Sequence, residues 1–391
     1  MPEVIRPLLE IRDAILERGA QDARKCYQCG KCMSSCPWFQ VGAVSYPVYR
    51  FPQAVKLGVV TSSEDKEVLA TEVTDLFRCF GCDACRASCP RGVDMVKVLR
   101  AVRRILVDYA NLPQELRSML SKTRSSGNPL GESREKRAAW AESLGVGPFS
   151  PGMDALYFSC CIPAYNQRAQ SLALATATIL RKAGFTFGTL GAGEACCGET
   201  VRKVGAEKVF AELAGANIAA FRAAGVRRLV TTSPHCYSSF KTDYAELGLH
   251  LDVVHETQLF AELIERGAIK ARKKVNRRVV YHDPCLLGRV HGVYEEPRLV
   301  LKHIPGLEIV EIENFSWDQS LCCGGGGGGF WLDRPLEERV TNVRVLQAWR
   351  TGADTLAVAC PYCLQMFEDA VKVLALPMEV RSVGELLREA L

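Results

Sequence analysis

Apolar side chains recur at Val4, Leu8, Ile11 and Ile15, with Ile5, Leu9 and Leu16 widening the stripe. This helical period predicts an amphipathic helix over residues 1 to about 24, its apolar face packed on its own domain. Residues 37 to 78 are helix-prone, and Val93 to Tyr109 predicts a further amphipathic helix. From Asn111 to Gly152 the pattern loosens. Ser125-Ser126-Gly127-Asn128-Pro129 and Gly145-Val146-Gly147-Pro148 carry turn chemistry, and Glu132-Ser133-Arg134-Glu135-Lys136-Arg137 reads as a solvated helix face. Beyond Gly152, short apolar runs at Leu156 to Ser159, Arg228 to Thr232, Val279 to His282 and Thr355 to Ala359 alternate with helical stretches. Strands separated by helices predict α/β architecture with a parallel sheet.

Beyond Gly152 the chain repeats its own chemistry. Cys161 recurs as Cys285, Cys196-Cys197 as Cys322-Cys323, and Ser233-Pro234-His235-Cys236 as Cys360-Pro361-Tyr362-Cys363. In each copy a strand and helix precede the paired cysteines, and a helix and buried strand lead to the last thiol. Two facing lobes with pseudo-twofold symmetry follow, their thiols at strand ends and helix starts, where open parallel sheets place their sites. The expected organisation is a helical ferredoxin-like domain over residues 1–110, a linker over 111–152, a first lobe over 153–271 and a second over 272–391.

Ahead of the lobes stand Cys26-x-x-Cys29-x-x-Cys32-x-x-x-Cys36-Pro37 and Cys79-x-x-Cys82-x-x-Cys85-x-x-x-Cys89-Pro90. Paired runs of this form bind two [4Fe–4S] cubanes, the fourth cysteine of each run serving the other cluster. Cys26, Cys29, Cys32 and Cys89 form one expected set, and Cys79, Cys82, Cys85 and Cys36 the other. Zinc suits an isolated Cys-x-x-Cys; a third cysteine at the same interval argues against it.

Eighteen cysteines in 391 residues would suggest disulfides in a short secreted chain. Here the chain is long, the thiols come as Cys-x-x-Cys, and Met1-Pro2-Glu3-Val4 opens no basic stretch followed by an apolar core. A reducing compartment is therefore expected, and the localisation reads as cytoplasmic, with membrane association only through a partner. No stretch approaches the roughly 18 uncharged apolar residues of a spanning helix. The formal charge of +5 says little about nucleic acid: each four-thiolate cubane carries about −2, and no basic run with interleaved aromatics occurs.

The second copy is complete in Cys285, Cys322, Cys323, Cys360 and Cys363. Five thiols so arranged suit an iron–sulfur cluster or zinc better than packing. The first copy has Ser233 where the second has Cys360, leaving Cys161, Cys196, Cys197 and Cys236. A hydroxyl is a poorer ligand for iron than a thiolate, so that site reads as a four-thiolate cubane, a modified cluster with Ser233 as alkoxide, or no cluster. Cys160 either compensates or is a buried strand residue. The run Gly324 to Gly329 formally contains G-x-G-x-x-G, but it follows no clean strand and no ribose-binding acid can be placed. Close backbone approach to cluster sulfurs or to a substrate is its better use, with Gly324 and Gly325 the candidates. His235 and His282 flank thiols and could donate to cluster sulfurs, although they, like His255, also suit satisfied structural positions.

At these residues the chain resembles the heterodisulfide reductase catalytic-subunit family over nearly its whole length. The resemblance takes in Cys26-Tyr27-Gln28-Cys29-Gly30, Cys89-Pro90-Arg91-Gly92-Val93, Gly127-Asn128-Pro129 with Arg137 and Trp140, and the two cysteine sets, which look like paired CCG domains. It implies a non-cubane [4Fe–4S] cluster on the five thiols of the complete set, beside two cubanes; the incomplete first-lobe set, which departs from the family's pattern, is read as holding a fourth, altered iron–sulfur cluster. Neither a nicotinamide nor a flavin nucleotide is expected on this chain. The implied function is an electron-transfer subunit working with flavin- or iron–sulfur-containing redox subunits, some of them membrane-bound. Two alternatives stand beside it: a reductase acting on a disulfide substrate at Cys285 to Cys363, and a degenerate iron–sulfur scaffold or redox sensor. Ser233 puts symmetric disulfide cleavage in doubt.

Overall fold

The computed structural model describes residues 9–42, 46, 48–57, 73–109 and 111–391. The chain divides into two compact units. One gathers the described residues up to Arg117 together with Thr200–Glu207 and Gly324–Val340; the other holds Ser118–Glu199, Lys208–Cys323 and Thr341–Leu391.

In the first unit no strand forms among the described residues. Leu9–Ile15 is helical, Gly19 (φ 110) breaks the run, and a 3₁₀ turn over Gln21–Lys25 leads to Cys26. The expected positions Val4, Ile5 and Leu8 lie outside the described residues. Between the cysteine runs, Pro37–Val41, Arg50–Leu57 and Val73–Leu76 are helical. The long helix Met95–Asp108 starts where Asp94 accepts from the Lys97 amide at 3.0 Å, and it buries Val98, Leu99, Val102 and Leu106. The unit is thus held by helix packing around the two runs.

The second unit contains two four-stranded parallel sheets. Strands β1 (Ala155–Phe158), β2 (Phe187–Gly188), β3 (Arg228–Thr231) and β4 (Asp252–His255) lie in the order β2-β1-β3-β4. Strands β5 (Arg277–Tyr281), β6 (Leu307–Val310), β7 (Thr355–Val358) and β8 (Glu379–Ser382) repeat it as β6-β5-β7-β8. In each sheet the chain leaves the first strand to one side and returns on the other. The topological switch point therefore lies between β1 and β3 and between β5 and β7, at their carboxyl ends. Register pairs Phe158 with Thr231 and Tyr281 with Ala357, so the cysteines just beyond emerge at the same end of each sheet.

The lobes pack with twofold-like reciprocity. Helix Gln170–Lys182 of the first lies on Val383–Ala390 of the second, and Glu256–Glu265 of the first lies on Glu295–Lys302 of the second. The equivalent residues His235 and Tyr362 meet each other, ring centroids 4.4 Å apart. That contact marks the pseudo-twofold axis.

Residues 111–152, expected as linker, contain the helix Gln114–Ser126 and a turn over Arg134–Ala138. Arg137 departs from the expected solvated face: it is buried, its guanidinium 4.8 Å from the Phe158 ring centroid, and Trp140 meets Tyr157 edge-on. A charged run of six residues does not reveal that one member has turned inward against an anionic partner.

Candidate metal centres

Each N-terminal run forms a short loop and one helical turn. Gly30 (φ 75) and Asp83 (φ 63) head the helices Lys31–Ser34 and Ala84–Ala87, which present Cys32 and Cys85. The fourth cysteine of each run crosses over. Cys32 feels the charges of Cys26, Cys29 and Cys89, while Cys85 feels those of Cys79, Cys82 and Cys36. One pocket is lined by Cys26, Cys29, Cys32 and Cys89 together with Cys85, and a second by Cys36, Cys79, Cys82 and Cys85 against Trp38 and Phe80. Burial pushes Cys32 up to about 11 and raises Cys85 well above the ordinary thiol range, and neighbouring sulfurs reinforce both shifts. Sulfur sets packed this closely can all ionise only around a cation, and thiolate-rich sets suit iron–sulfur clusters.

Arg103 fixes the second set. It is buried and donates to the carbonyls of Leu76 (2.8 Å), Cys79 (2.9 Å), Lys203 (3.0 Å) and Gly327 (3.2 Å). One guanidinium thus binds the cysteine run to both inserted segments of its unit. The glycine run forms a 3₁₀ turn over Gly326–Trp331 against this loop. A Cβ at Gly326 would stand 2.3 Å from the Phe80 carbonyl oxygen, and one at Gly327 2.3 Å from that of Cys79. Gly326 and Gly327 are thus required against backbone of the Cys79 run, Gly324 adopts the left-handed φ of 86 that favours glycine, and Gly325 has an ordinary helical φ of −85.

In the second lobe, Cys322, Cys323, Cys360 and Cys363 are buried, and hydrogen bonds join Cys322 to Cys323, Cys323 to Cys363, and Cys363 to Cys360. Cys285, half-buried on the turn after β5, is outside that hydrogen-bonded group. His282, Cys323 and Cys363 place ligand atoms within 4.8 Å of one another. Arg344 donates from Nε to His282 Nδ1 at 3.2 Å, and burial lowers His282 below the ordinary imidazole range against the opposing pull of the Cys323 sulfur. Arg344 also reaches the Phe315 carbonyl (2.8 Å) and Ser320 Oγ (3.2 Å), holding the approach to the cysteine pair.

His235 reaches this site from the first lobe. Its Nδ1 donates to Glu199 Oε2 at 2.7 Å, and the ring hydrogen-bonds the Cys360 sulfur. Burial disfavours its charge, but Glu199 and Cys360 together raise His235 well above the ordinary imidazole range. Burial likewise opposes Cys360 ionisation, yet hydrogen bonds from Cys363 and His235 bring that thiol down to about 6. Two cationic or proton-bearing side chains therefore face the second lobe's sulfurs.

The first lobe's thiols also converge. Cys161 hydrogen-bonds Cys196, Cys196 hydrogen-bonds Cys197, and Cys197 hydrogen-bonds Cys236. Arg137 bridges Cys161 Sγ (3.4 Å) and Glu194 (2.9 Å), and Asn217 holds the cysteine turn by accepting from the Ala195 amide at 2.8 Å. Sequence patterns alone did not single out Glu194, Glu199, Arg103 or Arg344, nor the inward turn of Arg137. Only the repeat could have flagged one of them: Asn217 and Arg344 are equivalent positions that anchor equivalent turns.

Residues 22–93 match the 4Fe-4S dicluster domain, and residues 155–241 and 279–368 each match the cysteine-rich CCG domain. The chain is 28% identical to the EtfAB:quinone oxidoreductase of Syntrophomonas wolfei over 90% of its own length, spanning 55% of that protein. It thus spans about half the length of the first curated relatives it matches. It is 32% identical to a subunit of the dihydromethanophenazine:CoB–CoM heterodisulfide reductase of Methanosarcina barkeri, over 94% of this chain and 93% of that one. A hypothetical protein from Helicobacter pylori, 11% identical, shares the fold with a TM-score of 0.50 over 97% of this chain and 76% of its own. With its dicluster domain, tandem cysteine-rich domains and match along nearly the full length of that reductase subunit, the chain belongs to the heterodisulfide reductase family of iron–sulfur oxidoreductase subunits.

Proposed function

We propose that this chain is the electron-transfer subunit of a larger redox assembly. Cys26, Cys29, Cys32 and Cys89 hold one cubane [4Fe–4S] cluster and Cys79, Cys82, Cys85 and Cys36 a second. Cys285, Cys322, Cys323, Cys360 and Cys363 hold a non-cubane cluster in the second lobe, and the first lobe's thiols hold a fourth, altered one. When bound, such clusters supply one-electron acceptance and donation. Arg103 sets a fixed positive charge beside the Cys79 loop, and the His235 and His282 protons on sulfur favour the more negative, reduced state. The observation that carries the reading is the crossing of Cys89 and Cys36 into each other's sets, which serves two clusters and no single ion.

Redox subunits are the expected partners, as the relatives' names describe subunits of such enzymes. Among the described residues no helix is long and apolar enough to cross a membrane. A second reading, disulfide reduction at the second lobe, is favoured by His235 and His282, because cleaving a disulfide consumes protons as well as electrons. Anaerobically purified chain should contain iron and sulfide and give electron paramagnetic resonance signals on reduction. A colourless, zinc-loaded preparation would overturn the proposal. Reduction of a mixed disulfide by the loaded chain, abolished by Cys323→Ala, would select the second reading over the relay.

A further inference from the structure

We infer that Cys160 supplies the fifth thiolate of the first lobe, replacing the sulfur that Ser233 lacks. This rests on the proposal that the first lobe binds an iron–sulfur cluster, and it names a ligand the repeat alone would miss.

Three observations carry it. The first is register. β1 pairs Phe158 with Thr231, so two residues further on Cys160 lies beside Ser233; β5 pairs Tyr281 with Ala357, so Pro284 lies beside Cys360. Adjacent strands are about 4.8 Å apart. The two lobes therefore carry one sulfur at the same pair of neighbouring strand ends, on opposite strands.

The second is the sulfur geometry. Cys160 is buried, and its side chain hydrogen-bonds Cys236 and meets Ser233. It closes the series Cys161, Cys196, Cys197 and Cys236 as a fifth thiol in contact with its neighbour. Ser233, itself fully buried, lies against that sulfur, and a hydroxyl is the poorer ligand of the two for iron.

The third is the backbone. Cys160 sits at φ 72, ψ 159, a region that belongs almost wholly to glycine. A residue needed only to fill space would be glycine here, without strain. The conformation turns the side chain at the head of helix Cys161–Tyr165 into the thiol group, and a ligand bond explains why it is tolerated.

Full-length, anaerobically isolated chain tests the assignment by iron and sulfide content and by Mössbauer and electron paramagnetic resonance spectra. The signal lost in Cys196→Ala identifies the first-lobe site. Cys160→Gly relieves the backbone and removes the sulfur, so it should fold at least as well as wild type while abolishing that signal, with either loss of about four irons or conversion to the cubane signature. Ser233→Ala should leave the signal in place, and Cys160→Ser/Ser233→Cys should restore it by moving the sulfur to the neighbouring strand. Wild-type iron and spectra in Cys160→Gly would overturn the inference. If Cys196→Ala itself changes neither iron nor spectrum, the first-lobe cluster is absent and the underlying proposal fails there instead.

Discussion

The two lobes share a strand order, a cysteine turn and a reciprocal packing of helices, yet they differ wherever charge meets sulfur. In the first, Arg137 and Glu194 flank Cys161, and Ser233 stands at the strand end. In the second, Cys360 stands there, and its proton donor, His235, comes from the other lobe. His235 and Tyr362 are equivalent residues in contact across the axis, and the histidine hydrogen-bonds the Cys360 sulfur. The reciprocal packing thus lets one lobe lend a side chain to the other's thiol group. Symmetric architecture does not require symmetric chemistry, and the asymmetry here favours the second lobe as the working centre.

The sharpest way to break the comparison is Cys360→Ser, which gives the second lobe the first lobe's residue. Pro284 lies on the neighbouring strand end and offers no sulfur to compensate. The variant should lose the non-cubane signal, with a deficit of about four irons if the site empties, while Ser233→Ala, its counterpart, changes neither. Retention of the signal in Cys360→Ser would mean that the position is not a ligand in either lobe.

Next in size is Glu199→Gln. Glu199 and His235 form a buried ion pair at 2.7 Å, and the second lobe has Gly325 at the equivalent place. Removing one partner of a buried pair leaves the other charge uncompensated, at about 3 kcal/mol. Urea unfolding should register that loss, together with a shift in the redox potential of the second lobe's centre, since His235 would no longer be held protonated. An unchanged potential would show that the histidine serves packing alone.

How much of this difference could be read from residues alone depends on distance in the chain. The repeat was visible because its thiols fall at nearly constant spacing, and the cubane runs because their ligands are local. The edge strands β2, β6 and β8 were not visible: β2 is two residues long, and β6 and β8 alternate charged and apolar positions on partly exposed edges. Arg103, Arg137 and Arg344 were illegible for another reason. Surface and buried arginines look alike in sequence, and only carbonyls and sulfurs brought in from remote segments distinguish them. The role of Cys160 likewise emerges from register between strands more than seventy residues apart in sequence.

A smaller contrast lies at the fourth strand of each sheet. β4 ends at His255 and β8 at Ser382, and Glu256 and Val383 open the helices that follow, each through a capping box. Burial lowers His255 to about 4 and raises Glu256 to about 8. The histidine opposes folding as pH falls from 6.5 toward 4; the glutamate opposes it as pH rises from 4.5 toward 8, and the two cancel between 4.5 and 6.5. His255→Ser/Glu256→Val, which copies the second lobe, should therefore gain on wild type by about 2 kcal/mol between pH 6.5 and 8. Glu256→Val alone should unmask a rise in stability from pH 4 to 6.5. Parallel stability curves for wild type and double variant would show that neither group is held away from its ordinary range.

The smallest expected effect probes the seam between lobes. Thr257 follows Glu256 in the first helix, and its counterpart in the second is the buried Gly384. A Cβ at Gly384 would stand 3.5 Å from Phe260 Cε2 and 3.7 Å from the Ala175 Cβ, both ordinary contacts contributed by the first lobe. Gly384 carries no left-handed φ. Gly384→Ala should therefore gain helix propensity, up to about 1 kcal/mol, and bury its methyl group without displacing a neighbour. A gain in urea midpoint would show that the reciprocal helix contacts have room to tighten. A loss would mean that Phe260 cannot yield even a few tenths of an ångström, and that the second lobe keeps glycine where the first has threonine because the seam is closed tighter on that side.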